Sequence, residues 1–147
     1  MAVGFGFSVG DILAGIGAIK ASINAFSATR GATKDHKLLC DTLNGLSESL
    51  EVIREIEVDP LHDARQREAI RRAVEQCQSC IDGFLCTIAK YKIVQPGIQP
   101  AVWTSRVKTA VRKVQWALCT KEDISRFRGD IQLQFDAVSV LLVSLQV

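Results

Sequence analysis

The sequence predicts an all-α fold, an antiparallel bundle of four to five helices. Apolar residues recur at three- and four-residue spacing in every long segment, no period-two alternation competes, and only three prolines interrupt 147 residues. Apolar residues are 48% of the chain against 23% charged, a globular composition. A chain of this length forms one domain burying ~68–70% of its extended surface. The reading places a flexible apolar leader at 1–7 and helices at 8–28, 33–58, 60–93, 101–119 and 120–147 of a single domain.

Ser8-Val9-Gly10-Asp11 matches a capping box, a serine followed three residues later by an acid, and opens the first helix. Thr29-Arg30-Gly31 ends it. The second helix begins near Thr33 and carries Leu39, Leu43, Leu46, Leu50 and Ile53 as a bundle seam, stopping near Val58. Asp59 then caps the third helix and Pro60 takes its first turn, where a missing N–H costs nothing. Ile70, Val74, Cys77, Ile81, Phe84, Ile88 and Tyr91 form the third stripe, and Gln95 to Pro100, with two prolines and a glycine, is a loop. Val107, Val111, Val114 and Leu118 mark a fourth helix. A second capping box, Thr120 to Asp123, starts the fifth, whose stripe is Ile124, Phe127, Ile131, Phe135, Val138, Leu142 and Leu145. Short connections favour antiparallel neighbours. The chain stops inside an apolar helix at Leu141 to Val147, which suggests a domain cut from a longer polypeptide.

The first helix differs from the rest. Val9, Ile12, Ile16, Ile19, Ile23 and Phe26 share a bulky face, while Gly10, Ala14, Gly17, Ala18, Ala21 and Ala25 make the opposite face smooth. Without a broad charged face such a helix needs an enclosing environment. Two are open: the centre of the bundle, with the small face admitting a neighbour, or lipid, where small-xxx-small spacing suits helix association.

The net charge of +2 gives no case for nucleic-acid binding. The lead residues carry no Lys or Arg and Asp11 breaks the apolar run, against a secretory signal, and no run of 18 uncharged apolar residues makes a conventional span. Acids gather from Glu48 to Asp63, and bases at Arg65, Arg67, Arg71 and Arg72 and again at Arg106, Lys108, Arg112 and Lys113. Solvated helix faces with i,i+4 pairing account for most of them. Trp116 falls off the Val107–Val111–Val114 face and close to Arg112 and Lys113. A tryptophan among cations suits a membrane interface or a partner surface, though packing against the fifth helix is equally open.

No enzyme, metal site or cofactor is indicated. The five cysteines, an odd count, read as reduced core thiols of an intracellular protein. Cys77 and Cys80 form a CxxC mid-helix without a second pair, neither a zinc ligand set nor a low-pKa redox pair. His36 and His62 have no nucleophile at diagnostic spacing and suit surface or capping positions. The glycine-rich opening is one residue too long for a dinucleotide fingerprint and lacks a preceding strand.

The opening Phe5-Gly6-Phe7-Ser8-Val9-Gly10-Asp11, its apolar helix, and the later Lys113-Val114-Gln115-Trp116-Ala117-Leu118 resemble the amino-terminal HeLo-like domains of fungal multidomain proteins. In those proteins such a domain precedes a ubiquitin-like domain or a nucleotide-binding receptor. The resemblance implies a cytoplasmic bundle kept inactive until partner domains of the same polypeptide cluster. Self-association, recruitment to an anionic plasma membrane and cell death then follow through amino-terminal insertion. On that analogy Phe5, Phe7, Ile12, Leu13, Ile16 and Ile19 insert, while the basic fourth helix attracts anionic lipid. Asp11 and Lys20 cut against full spanning, at ~2.5–3.5 kcal/mol each at mid-bilayer. The alternative is a helical adaptor or scaffold that docks protein and never touches lipid.

Overall fold

The computed structural model describes residues 8–30, 33–57, 64–89, 102–112 and 116–145. Among these the chain is all-helical: α1 (Val9–Arg30), α2 (Lys34–Glu57), α3 (Ala64–Ile88), α4 (Trp103–Arg112), a short 3-10 turn (Trp116–Leu118) and α5 (Lys121–Leu145). The leader with Phe5 and Phe7, the Asp59–Pro60 start of the third helix, Tyr91, the proline loop, Lys113 and Val114 lie outside the described residues.

The helix starts follow from their caps. Ser8 N–H donates to Asp11 Oδ2 at 3.0 Å and Asp11 N–H donates back to Ser8 Oγ at 3.2 Å, so two orphan donors of the first turn are satisfied reciprocally. Thr33 Oγ1 accepts from His36 N–H at 3.2 Å, and Thr120 Oγ1 from Asp123 N–H at 3.1 Å, opening α2 and α5 in the same way.

Most of the predicted stripe residues form the core, with Phe26, Phe135 and Leu142 only partly buried against it. Val9, Ile12, Ile16, Ile19 and Ile23 of α1, the five seam residues of α2, and Ile70 to Ile88 of α3 are buried together with Ile124, Phe127, Ile131, Val138 and Leu145 of α5. Chain order does not give the packing order. Helix α5 packs chiefly on α2 and also on α3, whereas α2 and α3 meet only slightly; α1 lies against α2 and α4.

The fourth segment is not α-helical in all of its described residues. Where one helix over 101–119 is expected, the described residues form α4 at Trp103–Arg112 and the 3-10 turn Trp116–Leu118, where Leu118 is 60% exposed rather than part of a seam. An α-helical register carried on from α4 at 100° per residue would put Trp116 outside, whereas in the 3-10 turn it is buried.

Two glycines set close approaches. A Cβ on Gly15 would lie 2.8 Å from the Trp103 indole, and one on Gly45 would lie 2.6 Å from the Phe135 ring. Trp103 cannot easily retreat, because it is buried and its Nε1–H donates to Asp82 Oδ1 of α3 at 2.8 Å. Gly17, on the same helix, has open space where its Cβ would stand. Gly15→Ala is therefore expected to destabilise by about 1–3 kcal/mol through overpacking. Gly17→Ala should stabilise by about 0.5–1 kcal/mol through backbone entropy. Urea unfolding of the two variants checks the opposite signs.

Candidate functional site

Helix α1 has two unlike faces, and the structure assigns each an environment. The isoleucine face is fully buried: Ile12, Ile16 and Ile19 have no exposed surface, and Leu13 is half-buried against the same core. On the other side Ala14, Ala21 and Ala28 are exposed and Gly17 opens onto free space. Of the two environments the sequence leaves open for α1, the bundle encloses its isoleucine face but not its alanine face. Small residues at Gly15 and Gly45 receive neighbouring rings, while the Ala14–Ala21 ridge receives none of the described elements.

This helix is also the one described element long and apolar enough to cross a bilayer, by length and composition alone. One third of that apolar window is buried inside the bundle. Its charges are tied down. Asp11 caps the first turn, and Lys20 Nζ donates to Asn44 Oδ1 of α2 at 2.8 Å.

Helix α4, packed on α1, buries Trp103, Val107, Ala110 and Val111 and exposes Arg106, Lys108 and Arg112. It contains no acid, and none of the three cations makes an ion pair with a described residue. The other basic cluster is partly neutralised, since Arg71 bridges Glu68 and Glu75 along α3 and Arg72 reaches Glu68 at 3.5 Å. Those exposed pairs contribute little stability.

Trp116 does not belong to the basic surface. It is 4% exposed and stacks on Phe84 of α3 with ring centroids 5.9 Å apart. Phe84 stacks in turn on Phe127 of α5. The Trp116 Nε1–H donates to Ser22 Oγ of α1 at 2.7 Å, and Ser22 donates to the Val111 carbonyl at 2.9 Å. One indole thereby joins α1, α3, α4 and the 3-10 turn. Sequence reasoning passed over Trp103 and Ser22, because a periodic pattern shows which face is buried but not which neighbour a polar tip will find.

His36 is likewise interior. At 6% exposure it lies between Phe26 of α1 and Trp116. A surface position is thus corrected, while its place in the first turn of α2 on the Thr33 cap fits the capping alternative.

The paired thiols Cys77 and Cys80 are poor nucleophiles. Burial, reinforced by the neighbouring Cys80, pushes the Cys77 thiol up to about 12. Burial and then Asp130 raise Cys80 to about 12. Neither is thiolate at neutral pH, the opposite of what nucleophilic or redox chemistry needs. Among the described residues no three His, Cys, Asp or Glu side chains gather into a possible metal site.

A second exposed apolar feature was not anticipated. Leu133, Val140 and Val143 on the outer side of α5 are 65%, 71% and 65% exposed. Leu133 and Val140 are seven residues apart with exposed Ala137 between them, a heptad-like line. Comparison with protein-family models, curated proteins and solved structures finds no match to the chain.

Proposed function

We propose that this bundle is a non-enzymatic, membrane-directed signalling module whose lipid-facing surface is made by α1 and α4. The observation that carries the reading is the open ridge Ala14–Gly17–Ala21 on an apolar helix packed against a helix with three exposed cations and no acid. Smooth apolar surface and unpaired cations together suit the interface of an anionic bilayer. The HeLo-like resemblance extends this to clustering, insertion and cell death, with residues 12, 13, 16 and 19 as the inserting set behind Phe5 and Phe7.

Energetics separate docking from insertion. Exposing the five buried α1 side chains from Val9 to Ile23 to water costs roughly 8–15 kcal/mol, at 1.5–3 each. That equals the whole stability of a typical domain, ~5–15 kcal/mol. The resting bundle therefore docks with α1 in place. Insertion needs lipid or clustered copies to receive the isoleucine face as it leaves the core.

Flotation with phosphatidylserine vesicles at low and physiological salt tests the docking step. Arg106→Gln/Lys108→Gln/Arg112→Gln is expected to weaken binding by about 100-fold, at ~1 kcal/mol per cation near an anionic surface. Binding by the wild type should fall with salt. Equal flotation of wild type and triple variant counts against the reading.

The exposed α5 line favours a second reading, a docking module for another helical domain. Leu133→Glu/Val140→Glu would then abolish partner association while leaving flotation unchanged.

A further inference from the structure

His36 occupies a position that a neutral ring tolerates and a charged one does not. The Thr33 hydroxyl bonds to Nδ1 and also accepts from the His36 backbone N–H. The other nitrogen, Nε2, is buried and has no hydrogen-bond partner. Buried polar atoms are nearly always paired, so an orphan of this kind calls for an explanation.

The surroundings are aromatic and mechanical at once. The Phe26 ring of α1 lies 5.3 Å from the imidazole, centroid to centroid, and the Trp116 indole meets it edge-on at 6.2 Å. Phe26 belongs to the last two turns of α1, and Trp116 ties the 3-10 turn to Ser22 of α1. The imidazole is thus the wedge at the junction of α1, α2 and the 3-10 turn.

The charged groups near it do little to hold a proton. Asp35, preceding it on α2, is the one carboxylate acting on the ring, while Lys34 and Lys37 on the same helix are exposed. From α1 the ring faces Phe26, and from the 3-10 turn Trp116, neither of them charged. On α1, Lys20 is held by Asn44, and on α4 Arg112 is exposed to solvent. A cation at His36 would also sit in the first turn of α2, the positive end of the helix dipole.

We infer that His36 is a proton-sensitive latch: protonating its ring loosens the carboxy-terminal half of α1 and the Trp116 turn from α2. The direction is fixed by linkage. Burial holds the imidazole below its ordinary value of 6.5, outweighing Asp35. The unfolded chain therefore takes up the proton first as pH falls. Stability from the latch is full above about pH 6.5 and declines through that value, until the folded ring also protonates. The device stands independently of what α1 meets when released, so its tests need no lipid.

The experiment compares urea midpoints of the wild type and His36→Phe at about pH 7.5 and about pH 5.5, the range in which histidine titrates. The wild-type midpoint should fall with pH, and His36→Phe should lose most of that fall. Equal falls in both proteins overturn the latch. His36→Gln, neutral and able to bond Thr33, repeats the comparison should the phenylalanine variant fail to fold. A second readout uses Trp103→Phe, which leaves Trp116 as the sole indole of the two in the sequence. Its emission should change as the imidazole charges, and the change should vanish when His36→Phe or His36→Gln is added. An NMR titration of the wild-type ring with a midpoint at or above the ordinary histidine value also overturns the inference.

Discussion

Trp116→Ala is expected to destabilise the bundle by about 3–5 kcal/mol, the range for truncating a fully packed aromatic side chain. The indole is buried, stacked on Phe84 and bonded to Ser22, so its removal opens a cavity where α1, α3 and the 3-10 turn meet. It also leaves Ser22 without its donor. Against ~5–15 kcal/mol of total stability this is a large fraction. A thermal midpoint about 10 °C lower is the expected readout. Trp116→Phe keeps the stacking and loses only the Nε1–H bond, which should cost about 1 kcal/mol. The pair distinguishes the interior position from a lipid anchor. A surface tryptophan replaced by alanine would barely move the melt, typically within ±0.5 kcal/mol, but would reduce vesicle binding. An unchanged melt would remove Trp116 from the core and return it to the basic surface.

That residue also shows what the sequence could convey. The seams of α2 and α3 were legible because burial on a bundle helix is a one-sided, periodic constraint. Leu39, Leu43, Leu46, Leu50 and Ile53 obey it without exception, as do Ile70, Val74, Cys77, Ile81, Phe84 and Ile88. Capping boxes at Ser8 and Thr120 were legible because their chemistry is local. Trp116 sits in a 3-10 turn rather than on the α-helical register of α4, and no periodic rule contains that change. The reception of Trp103 by Gly15 is equally invisible, since it depends on which helices become neighbours. His36 was hidden for a related reason: its capping position is local, but its burial is imposed by Phe26 and Trp116 from distant parts of the chain.

The candidate surface was legible in part. Arg106, Lys108 and Arg112 are exposed on α4 as the basic run suggested, while Trp116 leaves their company. The apolar helix was recognisable by composition, but its smooth face alone could not say whether protein or solvent lay against it. The structure leaves that face open and commits the isoleucines to the core. A soluble helix bundle ordinarily places charge on such an outer face. Alanine and glycine there retain an apolar ridge without exposing large side chains, which keeps both folding and surface association feasible.

The two faces of α1 give the second large effect. Ile16→Asp places a carboxylate at a position with no solvent exposure, inside an apolar core. The cost is expected to be about 4 kcal/mol or more, combining lost packing with an unpaired buried charge. Circular dichroism at 25 °C should show a substantially unfolded or molten population. Ala14→Asp/Ala21→Asp, on the same helix but on its open face, should change stability by no more than about 0.7 kcal/mol per site, the helix-propensity difference. The double variant should nevertheless bind phosphatidylserine vesicles at least about tenfold more weakly, because two acids then face an anionic surface. A double variant that folds and floats like the wild type would show that α1's open ridge does not meet lipid. If Arg106→Gln/Lys108→Gln/Arg112→Gln also floats normally, the docking line of Leu133 and Val140 on α5 becomes the surface that explains the module. If only the α4 variant fails, the cations act without the ridge. Loss of binding in both, with folding retained, is the pattern that a joint α1–α4 surface requires.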